Sequence, residues 1–387
     1  MTPAARLSAA IEVLDRILAG QAAEQALTNW GRASRFAGSG DRSAVRDLVY
    51  DALRCRRSHA ALGGAESGRG LILGGLRAAG IDPAGLFTGL GHAPTPLGPQ
   101  DQPTEPTGAA ALDCPDWLEA PLRASLGPDF APILQALQHR APVFLRVNLR
   151  RATRDQAIAQ LAEDGITASA HPLAKTALQV HENARKIQNS AAYASGVVEL
   201  QDAASQAVVQ ELPLRDGLRV LDLCAGGGGK TLAMAAEAAL VLFAHDADPR
   251  RMRDLPTRAS RAGIRVTLTD KPEKTAPYDL ILTDVPCSGS GSWRRDPEGK
   301  WRLTAARLAE LIGLQSAILD RAAAMLPPGG VLAYATCSLL AQENAEQVAA
   351  FLSRHAGWTV DLQRQLTPLD GADGFFIALL RAPGQPR

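Results

Sequence analysis

From Leu218 onward the chain alternates short apolar runs with helical stretches, and that alternation limits its C-terminal half to one class of fold. The runs are Arg219–Leu223, Val241–His245, Arg265–Thr269, Leu280–Thr283 and Gly330–Ala335, with a last one at Phe375–Leu380. Between them the pattern predicts helices from Thr231, around Pro249–Ala262, over Thr304–Leu326 and over Gln342–His355. A parallel strand pair needs a crossover of this length, so strands alternating with helices build a doubly wound, mainly parallel sheet, an α/β Rossmann-like domain. The ligand crevice of such a sheet lies outside the carboxyl ends of its strands. Chemistry is therefore sought in the residues that follow each run.

Upstream, the periodicity is helical. Leu7, Ile11, Leu14, Ile17 and Leu18 line one face of a helix, and Val45, Leu48, Val49 and Leu53 line another after the start signal Ser39-Gly40-Asp41. Residues 61–112 are rich in Gly, Ala and Pro, which points to a shortened helical region. Pro94, Pro96, Pro99, Pro103 and Pro106 mark an extended linker. Beyond it a helix over Trp117–Leu126, a strand over Val143–Leu149, a helix over Asp155–Asp164 and a strand over Ala177–Val180 suit a small α+β domain. The expected division is an all-α region at 1–90, a linker at 91–112, a small α+β domain at 113–190 and the Rossmann-like domain at 191–387.

The chain is 46% hydrophobic and 21% charged, too apolar to be disordered. No apolar run approaches the roughly 20 residues of a membrane span, and no secretory leader is visible, so a cytoplasmic protein is expected. The five cysteines include no Cys-x-x-Cys pair and no histidine cluster accompanies them, so neither metal nor disulfides are expected. A net charge of +1 neither implies nor excludes nucleic acid. Arg32, Arg35, Arg42, Arg46, Arg54, Arg56 and Arg57 concentrate positive charge in one segment. That segment suits phosphate, or it is a solvated helix face.

The first strand ends in Asp222-Leu223-Cys224-Ala225-Gly226-Gly227-Gly228-Gly229-Lys230-Thr231. Consecutive glycines let backbone approach a ligand and leave amides open at a helix start. Cys224 stands where a phosphate-binding loop needs its first glycine, which disfavours a nucleoside triphosphatase. Asp246 ends the second strand, placed to accept ribose hydroxyls, and Asp270 ends the third, within reach of an adenine amino group. Together they describe a site for an adenosine-type cofactor. The fourth strand leads into Asp284-Val285-Pro286-Cys287-Ser288-Gly289-Ser290-Gly291 and the fifth into Thr336-Cys337-Ser338. Neighbouring strands should point both thiols into one crevice.

These segments resemble the RNA cytosine-5 methyltransferases of the RsmB/NOL1/NOP2/Sun family. The likeness is carried by Asp222–Thr231, by Asp284–Gly291 with Arg294-Arg295-Asp296-Pro297 and Lys300-Trp301-Arg302, and by Thr336-Cys337-Ser338 with Glu343-Asn344. Gln201–Gln206 looks like the family's entry segment, and the N-terminal helices resemble the NusB-like RNA-binding extension of bacterial rRNA enzymes. The chain departs from the family at Gly226-Gly227, where Ala-Pro is usual, and at Val285, where alanine is common.

The resemblance implies a class I fold that binds S-adenosylmethionine, an RRM-like character for the small domain, and methylation of carbon 5 of an RNA cytosine. It implies Cys337 as the covalent nucleophile, Asp284 at the N3/N4 edge of the base, and Cys287 in removal of the carbon 5 proton or in product release. Lys230 is expected beside them, where a cation lowers a thiol pKa. Cofactor contacts are expected from Cys224, Ala225, Gly226, Gly227, Gly228, Gly229 and Lys230, and from Asp246, Asp270 and Asp284. Arg294, Arg295, Lys300 and Arg302, interleaved with Trp293 and Trp301, are expected to hold RNA. Small-subunit (16S) rRNA is the favoured substrate, tRNA the alternative, and a monomer acting without metal or membrane is expected. Two rival readings are a DNA cytosine-5 methyltransferase, disfavoured by the second thiol Cys337, and a non-catalytic RNA-binding ribosome-assembly factor.

Overall fold

The structure, a computed structural model, describes residues 1–384. The chain forms two compact units. One joins Met1–Arg140 to the later segment Trp293–Leu303, and the other takes Ala141–Ser292 and the chain from Thr304 on. No helix among the described residues is long and apolar enough to cross a membrane.

The first unit is helical. Helices Pro3–Leu18, Ala23–Ala33, Ser39–Arg54, Arg56–Gly63 and Gly68–Ala78 enclose a core in which Val13, Leu14, Val45, Val49, Leu71 and Leu73 are fully buried. Each such side chain contributes about 1.5–3 kcal/mol relative to exposure. Thr2 starts the first helix by accepting from the Ala5 N–H, and Ser67 starts the fifth by accepting from the Gly70 N–H. Within the Gly-, Ala- and Pro-rich stretch 61–112, Gly68–Ala78 forms a largely buried helix. Its glycines are what disguised it. A Cβ on Gly63 would stand 1.8 Å from the Gly70 carbonyl oxygen, and one on Gly74 would stand 1.9 Å from that of His59. Helices Arg56–Gly63 and Gly68–Ala78 thus pack backbone to backbone, which a pattern of large apolar residues cannot announce. Helices Asp116–Leu126 and Phe130–Leu137 also belong to this unit.

The second unit holds two sheets. Strands β1 (Val143–Val147), β2 (Thr167–Ala170), β3 (Ala177–Glu182) and β4 (Val198–Leu200) form an antiparallel sheet in the order β2-β3-β1-β4. Strands β5 (Arg219–Asp222), β6 (Val241–Ala244), β7 (Thr267–Leu268), β8 (Leu280–Asp284), β9 (Val331–Thr336), β10 (Thr359–Leu366) and β11 (Phe375–Arg381) form a mixed sheet in the order β10-β11-β9-β8-β5-β6-β7. β7-β6-β5-β8-β9 are parallel, while β11 and β10 return antiparallel at one edge. This is the expected Rossmann-like sheet. The chain runs outward from β5 through β6 to β7, then restarts on the other side at β8. That reversal opens a crevice at the carboxyl ends of β5 and β8. All six residues of β9 are buried, as a central strand covered on both faces requires.

Alanine at Gly74 should favour an isolated helix by about 1 kcal/mol. Here the collision with the His59 backbone should reverse the sign and cost about 1–3 kcal/mol. Thermal melting of Gly74→Ala checks this, with a lower Tm expected than for the unaltered chain.

Candidate active site

β8 and β9 run side by side, with Thr283 opposite Tyr334 and Asp284 opposite Ala335. Both strands end in turns at the same edge, and the Val285 N–H donates to the Ala335 carbonyl at 3.1 Å to extend the pairing past Asp284. The result is that Cys287 Sγ lies 3.4 Å from Cys337 Sγ. The Gly291 N–H donates to the Cys337 carbonyl at 2.9 Å, and the Gly374 N–H donates to the Gly291 carbonyl at 2.9 Å. Gly291 has no substitute there, because a Cβ would stand 2.2 Å from the Gly374 oxygen.

Two sulfurs this close do not both ionise. Their hydrogen bond raises the Cys287 thiol well above its ordinary value, with burial and the charges of Cys337 and Glu343 adding to the effect. The same bond lowers Cys337, and the Lys230 ammonium and a hydrogen bond from Ser292 assist against burial and Asp284. The hydrogen bond and the Lys230 ammonium thus both favour charge on Cys337. Lys230 reaches the crevice from the helix Gly229–Glu237 that follows β5, and its Nζ donates to Asp284 Oδ2 at 2.6 Å. The same ammonium stands 4.5 Å from the centre of the Phe375 ring, a cation–π placement. Cys337, Cys287, Asp284 and Lys230 are thus brought together.

A feature given no role by sequence reasoning lies beneath them. Glu343, 0% exposed, accepts at Oε1 from the Ser288 N–H (2.8 Å) and Gln315 Nε2 (2.9 Å), and at Oε2 from the hydroxyls of Ser288 and Ser338. Tyr334 donates from its hydroxyl to the Glu343 carbonyl at 2.6 Å, and Asn344 Nδ2 donates to the Ser338 carbonyl at 2.9 Å. The only sequence signal was an acid and an amide standing together soon after Cys337.

The residues expected around a cofactor lie along β5 to β7. Gly226 and Gly228 take positive φ of 51° and 81°, and a Cβ on Gly228 would strike Leu255 at 2.2 Å. The buried Asp246 accepts from the Gly226 N–H and the Asp248 N–H, each at 2.9 Å, and Arg251 approaches it at 3.3 Å. Cys224 is half-buried, its thiol raised by burial. Ala225 is buried, and its N–H donates to the His245 carbonyl at 2.9 Å. Gly227 is exposed and Gly229 half-buried, while Asp270 is exposed after β7. The described residues contain no group of three or more His, Cys, Asp and Glu able to hold a metal.

The expected RNA-holding loop needs correction. Arg294 and Lys300, 5% and 3% exposed, are packed within the helical unit. Lys300 Nζ donates to the Arg54 carbonyl at 3.0 Å, Arg54 Nε donates to the Arg294 carbonyl at 2.7 Å, and Trp301 Nε1 donates to the Leu53 carbonyl at 2.6 Å. Burial lowers the Lys300 ammonium to about 8. Trp293 is buried as well. These side chains are structural, whereas Arg295 and Arg302 remain exposed.

A family model described as 16S rRNA methyltransferase RsmB/F matches residues 209–381, and one for the ferredoxin-like domain of RsmF/B-like methyltransferases matches residues 114–187. The ribosomal RNA small subunit methyltransferase B of Erwinia tasmaniensis is 37% identical over 283 residues, covering 69% of this chain and 66% of that protein. Its namesake in Citrobacter koseri is 36% identical over 291 residues, covering 71% and 68%. The chain thus spans about two thirds of the length of the curated relatives it matches. Among solved structures, the crystal structure of PH0851 superposes with a TM-score of 0.76 at 22% identity, covering 98% of this chain and 99% of that one, a likeness of fold. Sequence likeness through both sheets, joined to a Rossmann-like crevice, places the chain in the RsmB/F family of S-adenosylmethionine-dependent methyltransferases.

Proposed function

We propose that this chain methylates carbon 5 of a cytosine in small-subunit ribosomal RNA, with Cys337 as covalent nucleophile. The observation that carries the reading is the pair of thiols 3.4 Å apart beside the Lys230–Asp284 ion pair. The RNA substrate is inferred from the names borne by the family and by the relatives in Erwinia and Citrobacter.

The crevice suits S-adenosylmethionine. The buried Asp222 leaves Oδ1 without a partner, and the helix from Gly229 has no side-chain cap on its first amides. Residues Cys224–Lys230 would hold the methionine part, Asp246 the ribose and Asp270 the adenine. When bound, the cofactor supplies an electrophilic methyl group.

Carbon 5 of cytosine is a poor nucleophile until a thiolate adds at carbon 6. Cys337 forms that bond, and Asp284 with its Lys230 partner engages the N3/N4 edge, where addition places charge. While Cys337 is a thiolate, Cys287 keeps its proton. Once Cys337 is bonded to carbon 6 its charge no longer opposes ionisation of Cys287, which can give its own proton to water in the crevice. As thiolate, Cys287 takes the carbon 5 proton after the methyl group has joined that carbon. Loss of that proton expels Cys337 and restores the ring. The base must be unstacked to reach the sulfurs. Arg295 and Arg302, the latter ion-paired with Glu298, are the exposed cations of this loop that would meet phosphate.

Transfer of tritium from labelled cofactor to RNA tests the reading, and Cys337→Ala should abolish it while leaving cofactor binding intact. Full transfer by that variant would end the proposal. Cys287→Ala should leave protein attached to RNA as a slow band on a denaturing gel; its absence would move the release step to another group. Burial raises the Asp222 carboxyl to about 7, whereas the unfolded chain releases this proton near 4. Stability from this group is complete below pH 4 and is lost as pH rises to about 7. The Tm of Asp222→Asn should therefore gain on that of the unaltered chain between pH 4.5 and 7.5, as melting without cofactor would measure.

A further inference from the structure

We infer that Glu343 is a positioning residue that clamps the two thiol-bearing turns together and selects which of their sulfurs carries the charge. The inference deepens the reading of Cys337 as nucleophile and rests on it.

The clamp is visible in the donors. Ser288, which follows Cys287, gives Glu343 both its N–H and its hydroxyl, and Ser338, which follows Cys337, gives its hydroxyl. Gln315 supplies the fourth donor and also donates to the carbonyl of Pro286, directly before Cys287, at 3.0 Å. One carboxylate therefore fixes the residues flanking both sulfurs. The Ser288 N–H and the Gln315 amide can only donate, so an oxygen must face them, whereas the second oxygen faces two hydroxyls that can donate or accept.

The selection follows from where charge lies. Among the described residues Glu343 has no cation partner, so its charge is not cancelled locally. That charge bears on Cys287 and opposes a second anion there. Lys230 bears on Cys337, held by Asp284. The bonding is asymmetric: Glu343 takes two donors from the residue after Cys287 and one from the residue after Cys337, while Lys230 is bonded to Asp284. Without Glu343 the bias toward charge on Cys337 would rest on Lys230 and would be weaker.

Alkylation of the full chain by iodoacetamide, with rates at each cysteine resolved by peptide mass spectrometry at pH 7.5, reads the selection directly. In the unaltered protein Cys337 should react about tenfold faster than Cys287, since only a thiolate is alkylated. In Glu343→Gln that ratio should fall about fivefold, and kcat for methylation should fall with KM for RNA unchanged. An unchanged ratio in a cooperatively melting Glu343→Gln overturns the inference. If that variant does not fold, Glu343→Asp takes its place, because its charge is kept but drawn back by one methylene. A drop of about threefold in the ratio is then expected, and no drop overturns it. Failure of the nucleophile assignment looks different: Cys337→Ala would still methylate RNA, whatever the alkylation ratios.

Discussion

Parallel pairing of β8 with β9, in a register that sets Asp284 opposite Ala335, is the constraint on which the crevice depends. A shift by one residue would turn every side chain of a strand to the other face, and with it the turn that carries a sulfur. The register is held by burial, since Leu280, Ile281, Leu282 and all of β9 are inside, covered by helices on both faces. A further lock comes from the Thr283 hydroxyl, which donates to the Ala333 carbonyl at 3.0 Å. Sheet energetics thus set a distance between two atoms that belong to no strand.

What that distance produces is an electrostatic device rather than a pair of independent thiols. A sulfur bonded to an anionic neighbour holds its proton, and the neighbour gains from the donated hydrogen bond. The Lys230 ammonium favours charge on Cys337 and the Glu343 carboxylate opposes it on Cys287, which breaks the symmetry of the pair. A change of charge at one sulfur is therefore felt at the other, since Cys337 is one of the groups that hold the proton on Cys287.

Much of this was legible in the amino-acid order. β5, β6, β8 and β9 are short and apolar because both faces are covered, and the residues that follow them announce themselves by polarity. β10 was missed because seven of its eight positions are not buried and Arg364 interrupts the period-two spacing of Val360, Leu362 and Leu366. The helix Gly68–Ala78 was hidden by the glycines that let it pack. Lys300 and Arg294 misled in the opposite direction: charge in a loop suggests solvent, and only tertiary packing reveals that carbonyls of the helical unit receive them. Glu343 stood among the matched residues, yet its partners Ser288 and Gln315 lie 55 and 28 positions away, beyond the reach of any local pattern.

The segment Trp293–Leu303 has a consequence for how the molecule can be taken apart. It is bounded on both sides by chain of the second unit but counts among the residues of the first, so the polypeptide passes between the units at Arg140, at Ser292 and again at Leu303. A fragment cut at Arg140 would carry this stretch away from the helices that bury Trp293 and Lys300, leaving an indole and an ammonium wet. The helical unit is consequently not a detachable appendage in the way its place at the start of the sequence suggests. It is threaded, and gene-level shuffling that treats residues 1–140 as a cassette would produce two incomplete halves.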